Sequence, residues 1–423
     1  MSPVLPFDII PLIIEAVGEN KDTNLLKELA LVSYSFHQIC IKHLFATVEL
    51  HDASSKKGFV KLLKSRPDVV KYIRKLTYKI ENNNCFQWPT FVNDDYLLSP
   101  ILPNLLRTIP HLNCLTINSS KSDWNTLDSS LTSAFLHLMH LPTMNHIDLS
   151  FIKNFPLSIL SSSANLHRLD ILRLKRSNPP VDDGFPGIVV QLPQIREFHT
   201  SESSVLTTTL LHAKRQDGQP AFNLMNLRRL SMTFTQSEDE RNIRYLLQNA
   251  KSLEELHISV AHYRSLVGLR DILSPIACTL KVLDLTVSLQ YYERSVVPLP
   301  LAGICEELEA MAGHYTMLET LSFCVHVNGR ETADFIGSII QNVEKVLVKP
   351  GWSALRRVSF KISIECCLVS MKYGSKLSRA LLSLPDKYLS RLSKLESVTF
   401  NYSAYAVKCM CYHHSYDPAS DYH

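Results

Sequence analysis

Residues 227–232 read LRRLSM, residues 253–258 read LEELHI and residues 280–285 read LKVLDL. Each is apolar at its first, fourth and sixth positions. In an extended chain successive side chains point to opposite faces, so the fourth and sixth residues share one face and the fifth takes the other. The pattern predicts a short strand with one buried side. Working outward, the same pattern recurs as IRKLTY at Ile73, LNCLTI at Leu112, MNHIDL at Met144, LDILRL at Leu169, IREFHT at Ile195, LETLSF at Leu318, LRRVSF at Leu355 and LESVTF at Leu395. Successive starts lie 25 to 40 residues apart. The fifth positions are Thr77, Thr116, Asp148, Arg173, His199, Ser231, His257, Asp284, Ser322, Ser359 and Thr399, and every one is polar. Chance matches of leucine spacing would not keep that residue polar throughout. Thr200 makes the IREFHT copy degenerate.

Segments with helical periodicity lie between the copies, among them FVKLLKSRP at 59–67, NIRYLLQNA at 242–250, ICEELEAMA at 304–312 and FIGSIIQNV at 335–343. A strand followed by a helix at this period implies parallel strands with outer crossovers. One such unit cannot bury its own apolar face, so the units must stack. The expected fold class is α/β: an irregular solenoid of about eleven repeats over 49–403, preceded by a small all-helical module over 1–48 and followed by a polar tail over 404–423. An internal break is expected at SNPPVDDGFPG, residues 177–187, where Pro, Asp and Gly cluster. Over residues 68–403 the pattern resembles the leucine-rich repeats of the ribonuclease-inhibitor-like class, without the Asn or Cys that usually follows their core.

The module before the repeats opens LPFDIIPLIIEAVGEN at residues 5–20. Ile9, Ile10, Ile13, Ile14 and Val17 form one stripe at helical spacing. With Asp8 as the cap, Pro11 falls at the third helical position, where its missing amide has no helical partner in any case. A second helix is expected near Asp22, with Leu25, Leu26, Leu29 and Val32 inward. A third follows Ser33 and Ser35, Ser35 standing in capping-box spacing to Gln38. It carries Phe36, Ile39, Cys40, Ile41, Leu44 and Phe45.

Leu5, Pro6, Asp8, Ile9, Ile13, Asp22, Leu25, Leu29, Ala30, Val32, Ser33 and Phe36 together resemble the F-box, in its fungal form. That resemblance implies a substrate-recognition subunit of a Skp/cullin/F-box ubiquitin ligase. Leu5, Pro6, Ile9, Ile13, Leu25, Leu29, Val32 and Phe36 would dock on the Skp-type adaptor, and through it on a cullin. The repeats would hold an unidentified protein substrate. The same stripe also fits a cap that packs on the first repeat and belongs to a scaffold unconnected with any ligase.

For the substrate, the residues expected to face outward from mid-array strands are Arg173, Lys175, His199, Arg229, His257 and Asp284. No HExxH, GxSxG, GxxxxGK or GxGxxG motif occurs. Glycine is scarce, 12 in 423 residues, which disfavours backbone loops that grip phosphates or cofactors. A non-enzymatic protein without cofactor or metal is expected. CMCYHH at 409–414 carries zinc-type ligand residues in a spacing that structural zinc sites rarely use, and Cys366 and Cys367 read as packing residues. Ten scattered cysteines without CxxC suggest reduced thiols. Asp8 and Glu15 interrupt the opening apolar run, so it does not read as a secretion signal, and no apolar stretch approaches a membrane span. Cytoplasm or nucleus is the expected location. Residues 56–79 hold nine basic residues against the single acid Asp68. With Phe59, Val60, Leu62 and Leu63 to bury, they read as a solvated helix face more readily than as a nucleic-acid surface.

Overall fold

The computed structural model describes residues 9–20, 22–81, 100–119, 122–176, 192–215, 217–260, 268–290, 303–328, 333–366 and 379–408. They fall into two units, Met1–Asn223 and Leu224–His423. The expected break at 177–187 lies outside the described residues.

The first unit opens with α1 (Ile9–Glu19), α2 (Thr23–Ala30) and α3 (Tyr34–Leu44). Pro11 is the third residue of α1, where it removes no helical hydrogen bond. Asp22 caps α2, its carboxylate accepting from the Leu25 amide at 3.0 Å. The cap of α3 is Ser33 and not Ser35. Ser33 holds extended backbone, with φ −160° and ψ 167°, and its hydroxyl accepts from the Phe36 amide at 3.3 Å, as an N-cap must. Gly18 brings α1 and α3 together, for a Cβ there would meet the His43 ring at 2.3 Å.

Six strands follow among the described residues of this unit: β1 (Thr47–Leu50), β2 (Lys75–Ile80), β3 (Cys114–Ser119), β4 (His146–Ser150), β5 (Arg168–Leu172) and β6 (Glu197–Ser201). Each pairs in parallel with the next in chain order. Crossovers run through α4 (Ala53–Ser65), α5 (Ile101–Leu106) and α6 (Ser129–Met139). Between β4 and β5 a 3₁₀ turn over Leu157–Ser162 replaces the helix, which shortens that repeat. α7 (Ser204–Leu211) follows β6.

The second unit repeats the plan with β7 (Arg229–Phe234), β8 (Glu255–Val260), β9 (Val282–Gln290), β10 (Thr320–Asn328), β11 (Arg357–Cys366) and β12 (Thr399–Lys408), again parallel and in chain order. Its helices include α8 (Ser237–Asn249), α9 (Leu269–Leu273), α10 (Ile304–Met311), α11 (Ala333–Leu347) and α12 (Leu384–Tyr388). β1 begins before residue 49 and β12 continues past residue 403, so strand pairing crosses both boundaries drawn from the sequence.

Burial follows the repeat. Leu115, Ile117, Ile147, Leu149, Leu230, Leu256 and Leu283 are wholly buried, while the residues between them stay half-exposed. Phe135 of α6 is buried too, its ring edge-on to Tyr78 at 5.1 Å. Thr200, the degenerate position, is buried with its hydroxyl 2.8 Å from that of Thr207, which satisfies both groups. Adjacent repeats are also laced at the strand entrances, where one carbonyl accepts two successive amides of the next repeat. Asn113 O takes Asn145 N and His146 N, both at 3.0 Å, and Glu254 O takes Lys281 N at 2.8 Å and Val282 N at 3.0 Å.

Two copies sit in a different register from the one the pattern suggests. Leu169 pairs opposite Ile147, and Ile171 opposite Leu149, so the fourth repeat begins at Leu166 as LHRLDI and not at Leu169. Phe400 pairs opposite Val358, which moves the last copy two residues on. In α4, Phe59, Val60 and Leu63 are buried while Lys57, Lys61 and Lys64 are exposed, as a solvated basic face requires. Lys56 is buried with its ammonium over the Tyr78 ring at 5.0 Å. No helix among the described residues is long and apolar enough to cross a membrane.

Candidate functional site

Two surfaces hold the residues singled out above. On the helical module, Ile14, Leu26 and Cys40 form the buried centre, with Ile10, Val17, Leu29, Ala30, Phe36, Ile39 and Leu44 packed around it. Leu29 and Phe36 pack on this interior and are only partly exposed. The inward placement of Leu25 and Val32 is corrected, since both are exposed and Leu26 takes the inner side of α2. Ile9 and Ile13 are exposed as well. Leu5 and Pro6 lie outside the described residues. The pattern missed Leu12, Leu31 and Tyr34, which are 63%, 86% and 78% exposed. Leu12 was legible as the i+3 neighbour of Ile9, whereas Leu31 and Tyr34 flank the break at Val32–Ser33, where periodicity says nothing.

On the strands, the fifth positions form a column in each unit: Thr77, Thr116, Asp148, Asp170 and His199 in the first, and Ser231, His257, Asp284, Ser322, Ser359 and Asn401 in the second. Asp170 holds the place assigned to Arg173. Arg173 and Lys175 are not on the strand at all. Arg173 follows the end of β5 with φ 50°, and its guanidinium pairs with Glu202 at 2.6 Å and covers the Phe151 ring at 5.3 Å. Lys175 forms an isolated bridge to Lys153.

The other four candidates lie on the polar face. Arg229 pairs with Glu255 at 2.8 Å, and His257 Nδ1 lies 2.6 Å from Asp284. The hydrogen bond to Asp284 raises the His257 pKa against the effect of burial. Burial pushes the Asp284 carboxyl up, but hydrogen bonds from His257 and Ser322 more than offset it and leave its pKa below the ordinary value. His199 Nε2 stands 4.0 Å from Asp170.

Around Asp170 the first unit has a denser cluster. Asp170 accepts from His146 Nε2 at 2.9 Å and from Arg168 Nη2 at 3.0 Å, and Arg168 reaches Glu197 at 3.4 Å. The other ring nitrogen of His146 meets the Cys114 sulfur at 3.2 Å. Burial works against a charged His146, but the bonds to Asp170 and Cys114 prevail and raise its pKa to about 9. Burial alone would raise the Asp170 carboxyl, yet the His146 and Arg168 bonds hold it below the ordinary range. Asp148 goes the other way, pushed up by burial and by the neighbouring Asp170 charge. Among the described residues no group of three His, Cys, Asp or Glu is arranged to hold a metal ion. Cys409, Cys411, His413, His414 and Cys367 lie outside them.

No family model matches the chain, and no curated protein matches it. Among solved structures, a crystal structure of a Bacteroides fragilis protein is similar over 83% of this chain and 82% of its own, at 11% identity and a TM-score of 0.34. Likeness of that degree carries no functional argument.

Proposed function

We propose that the chain is the substrate-recognition subunit of a Skp/cullin/F-box type ubiquitin ligase, acting in cytoplasm or nucleus. Its helical module docks on the Skp-type adaptor, and the polar strand face holds a protein substrate. The observation that carries this reading is the exposure of Ile9, Leu12, Ile13, Leu25, Leu31, Val32 and Tyr34 on three short helices and the turn between the second and third. A side chain of this kind contributes about 1.5 to 3 kcal/mol when a partner buries it, so three or four of them suffice to anchor one. A helical module that served only as a cap would bury the α1 stripe against the first repeat, and Ile9 and Ile13 remain open. On the strand face, charged and hydrogen-bonding groups in columns offer polar readout of a protein surface.

The test is a pulldown of the full chain with a recombinant Skp-type adaptor. Wild-type protein is expected to capture the adaptor, and Ile9→Asp with Ile13→Asp to abolish capture at unchanged circular dichroism. Adaptor binding retained by that folded double variant would overturn the assignment.

A further inference from the structure

We propose that Cys114, His146 and Asp170 form a reactive-thiol site that takes small hydroperoxides, with Cys114 as nucleophile, His146 as its proton partner and Asp170 as the positioning residue. Three adjacent strands supply one member each. Cys114 and His146 are direct register partners across β3 and β4. Asp170 lies two residues beyond Arg168, which is His146's partner on β5, and it reaches back along the face to the ring. The contacts are Sγ to Nδ1 at 3.2 Å and Nε2 to Oδ2 at 2.9 Å. That is the order nucleophile, proton-carrying imidazole and orienting carboxylate. Arg168 grips Asp170 through Nε and Nη2 at 3.1 Å and 3.0 Å, so the carboxylate is itself fixed. All three members are partly exposed.

The setting differs at Cys40, Cys278 and Cys324. Cys40 is buried in the helical core and Cys278 is exposed. Cys324 meets His326 at 3.4 Å, but the ring's other nitrogen there faces the Ser363 hydroxyl and not a carboxylate. The inference does not depend on adaptor docking, which uses the three helices before β1.

In the step itself, Cys114 Sγ gives its proton to solvent beside the charged His146, whose Nδ1–H faces the sulfur and whose Nε2–H stays on Asp170. The sulfur attacks one peroxide oxygen, an S–O bond forms and the O–O bond breaks. The departing oxygen keeps the bond's electron pair and takes the proton from Nδ1. Sulfur loses two electrons and the peroxide gains them, giving a cysteine sulfenic acid and water, or an alcohol from an organic hydroperoxide.

The experiment treats the reduced full-length chain with limiting hydrogen peroxide near neutral pH, traps sulfenic acid with dimedone, and measures the Cys114 and Cys278 peptides by mass spectrometry. Cys114 is expected to be trapped faster than the exposed Cys278 by about a hundredfold or more, the low end of acid–base assistance. His146→Gln and Asp170→Asn should remove that advantage without changing Cys278, and Asp170→Glu, which keeps a carboxylate, should retain most of it. Equal rates at the two cysteines in the unaltered protein would overturn the proposal, as would a folded His146→Gln variant that reacts at the wild-type rate. The first comparison needs no variant, so it decides even if a substitution disrupts folding.

Discussion

His146 in the first unit and His326 in the second each sit beside a cysteine on the polar side of a parallel sheet. Their sulfur contacts are alike, 3.2 Å from Cys114 and 3.4 Å from Cys324. The third partner differs. His146 donates to a carboxylate that is itself gripped by Arg168, whereas His326 faces the Ser363 hydroxyl at 3.1 Å. The bonds to Asp170 and Cys114 raise the His146 pKa to about 9 against the effect of burial, and burial pushes the Cys324 thiol up. The lesson is that a repeat places side chains in equivalent rows, while one residue in the next strand decides whether a row carries charge. His257 and Asp284, half-exposed and without a cysteine, show a third outcome of the same geometry.

The comparison breaks most completely if the frame under the first row is removed. Phe135 is fully buried beside Tyr78 of β2, and Phe135→Ala is expected to cost about 3 to 5 kcal/mol. Urea denaturation should register that loss, and Cys114 trapping should fall while Cys324 is unchanged. A cost below about 1 kcal/mol would show that the row does not depend on this packing.

A smaller effect concerns pH. His146 is raised from 6.5 to about 9, so its charged form stabilises the folded state fully below about pH 6.5, and this contribution is lost as pH rises through 9. Urea midpoints measured between those limits should fall with rising pH, and Asp170→Asn should flatten the decline as well as lowering the midpoint at neutral pH. Asp284→Asn should act in the same direction more weakly, because that pair is more exposed to solvent. A wild-type midpoint that is level across this range would remove the carboxylate's distinguishing role.

The smallest expected change sharpens the contrast from the other side. Ser363→Ala removes the hydroxyl beside His326, and its net cost should be that of one neutral hydrogen bond, about 1 kcal/mol. Cys324 trapping should shift by less than about twofold, since no charge is lost. A large drop would mean that the hydroxyl does for Cys324 what Asp170 does for Cys114.

Much of this organisation was readable beforehand, for a physical reason. Alternation along a strand is a property of the backbone, so apolar fourth and sixth positions with a polar fifth were enough to locate the strands, and the helix starts at Ile9 and near Asp22 followed from local chemistry. The fourth repeat escaped because Leu166, Leu169, Leu172 and Leu174 offer two overlapping frames of the same pattern. Only pairing with β4 chooses between them, and the choice replaces Arg173 by Asp170 in the polar column. Leu25 and Val32 were misplaced for a similar reason: on short helices that are apolar on more than one side, and at their ends, period alone does not tell inward from outward.

The order of elements, the one-sided strands and the candidate status of His199, His257 and Asp284 therefore belong to the sequence, because each depends on residues close together in the chain. The meeting of Cys114, His146 and Asp170 belongs to the tertiary structure. These residues are separated by whole repeats, and their contact depends on the register in which three strands pair, which is set by how the buried leucines and isoleucines beneath them pack.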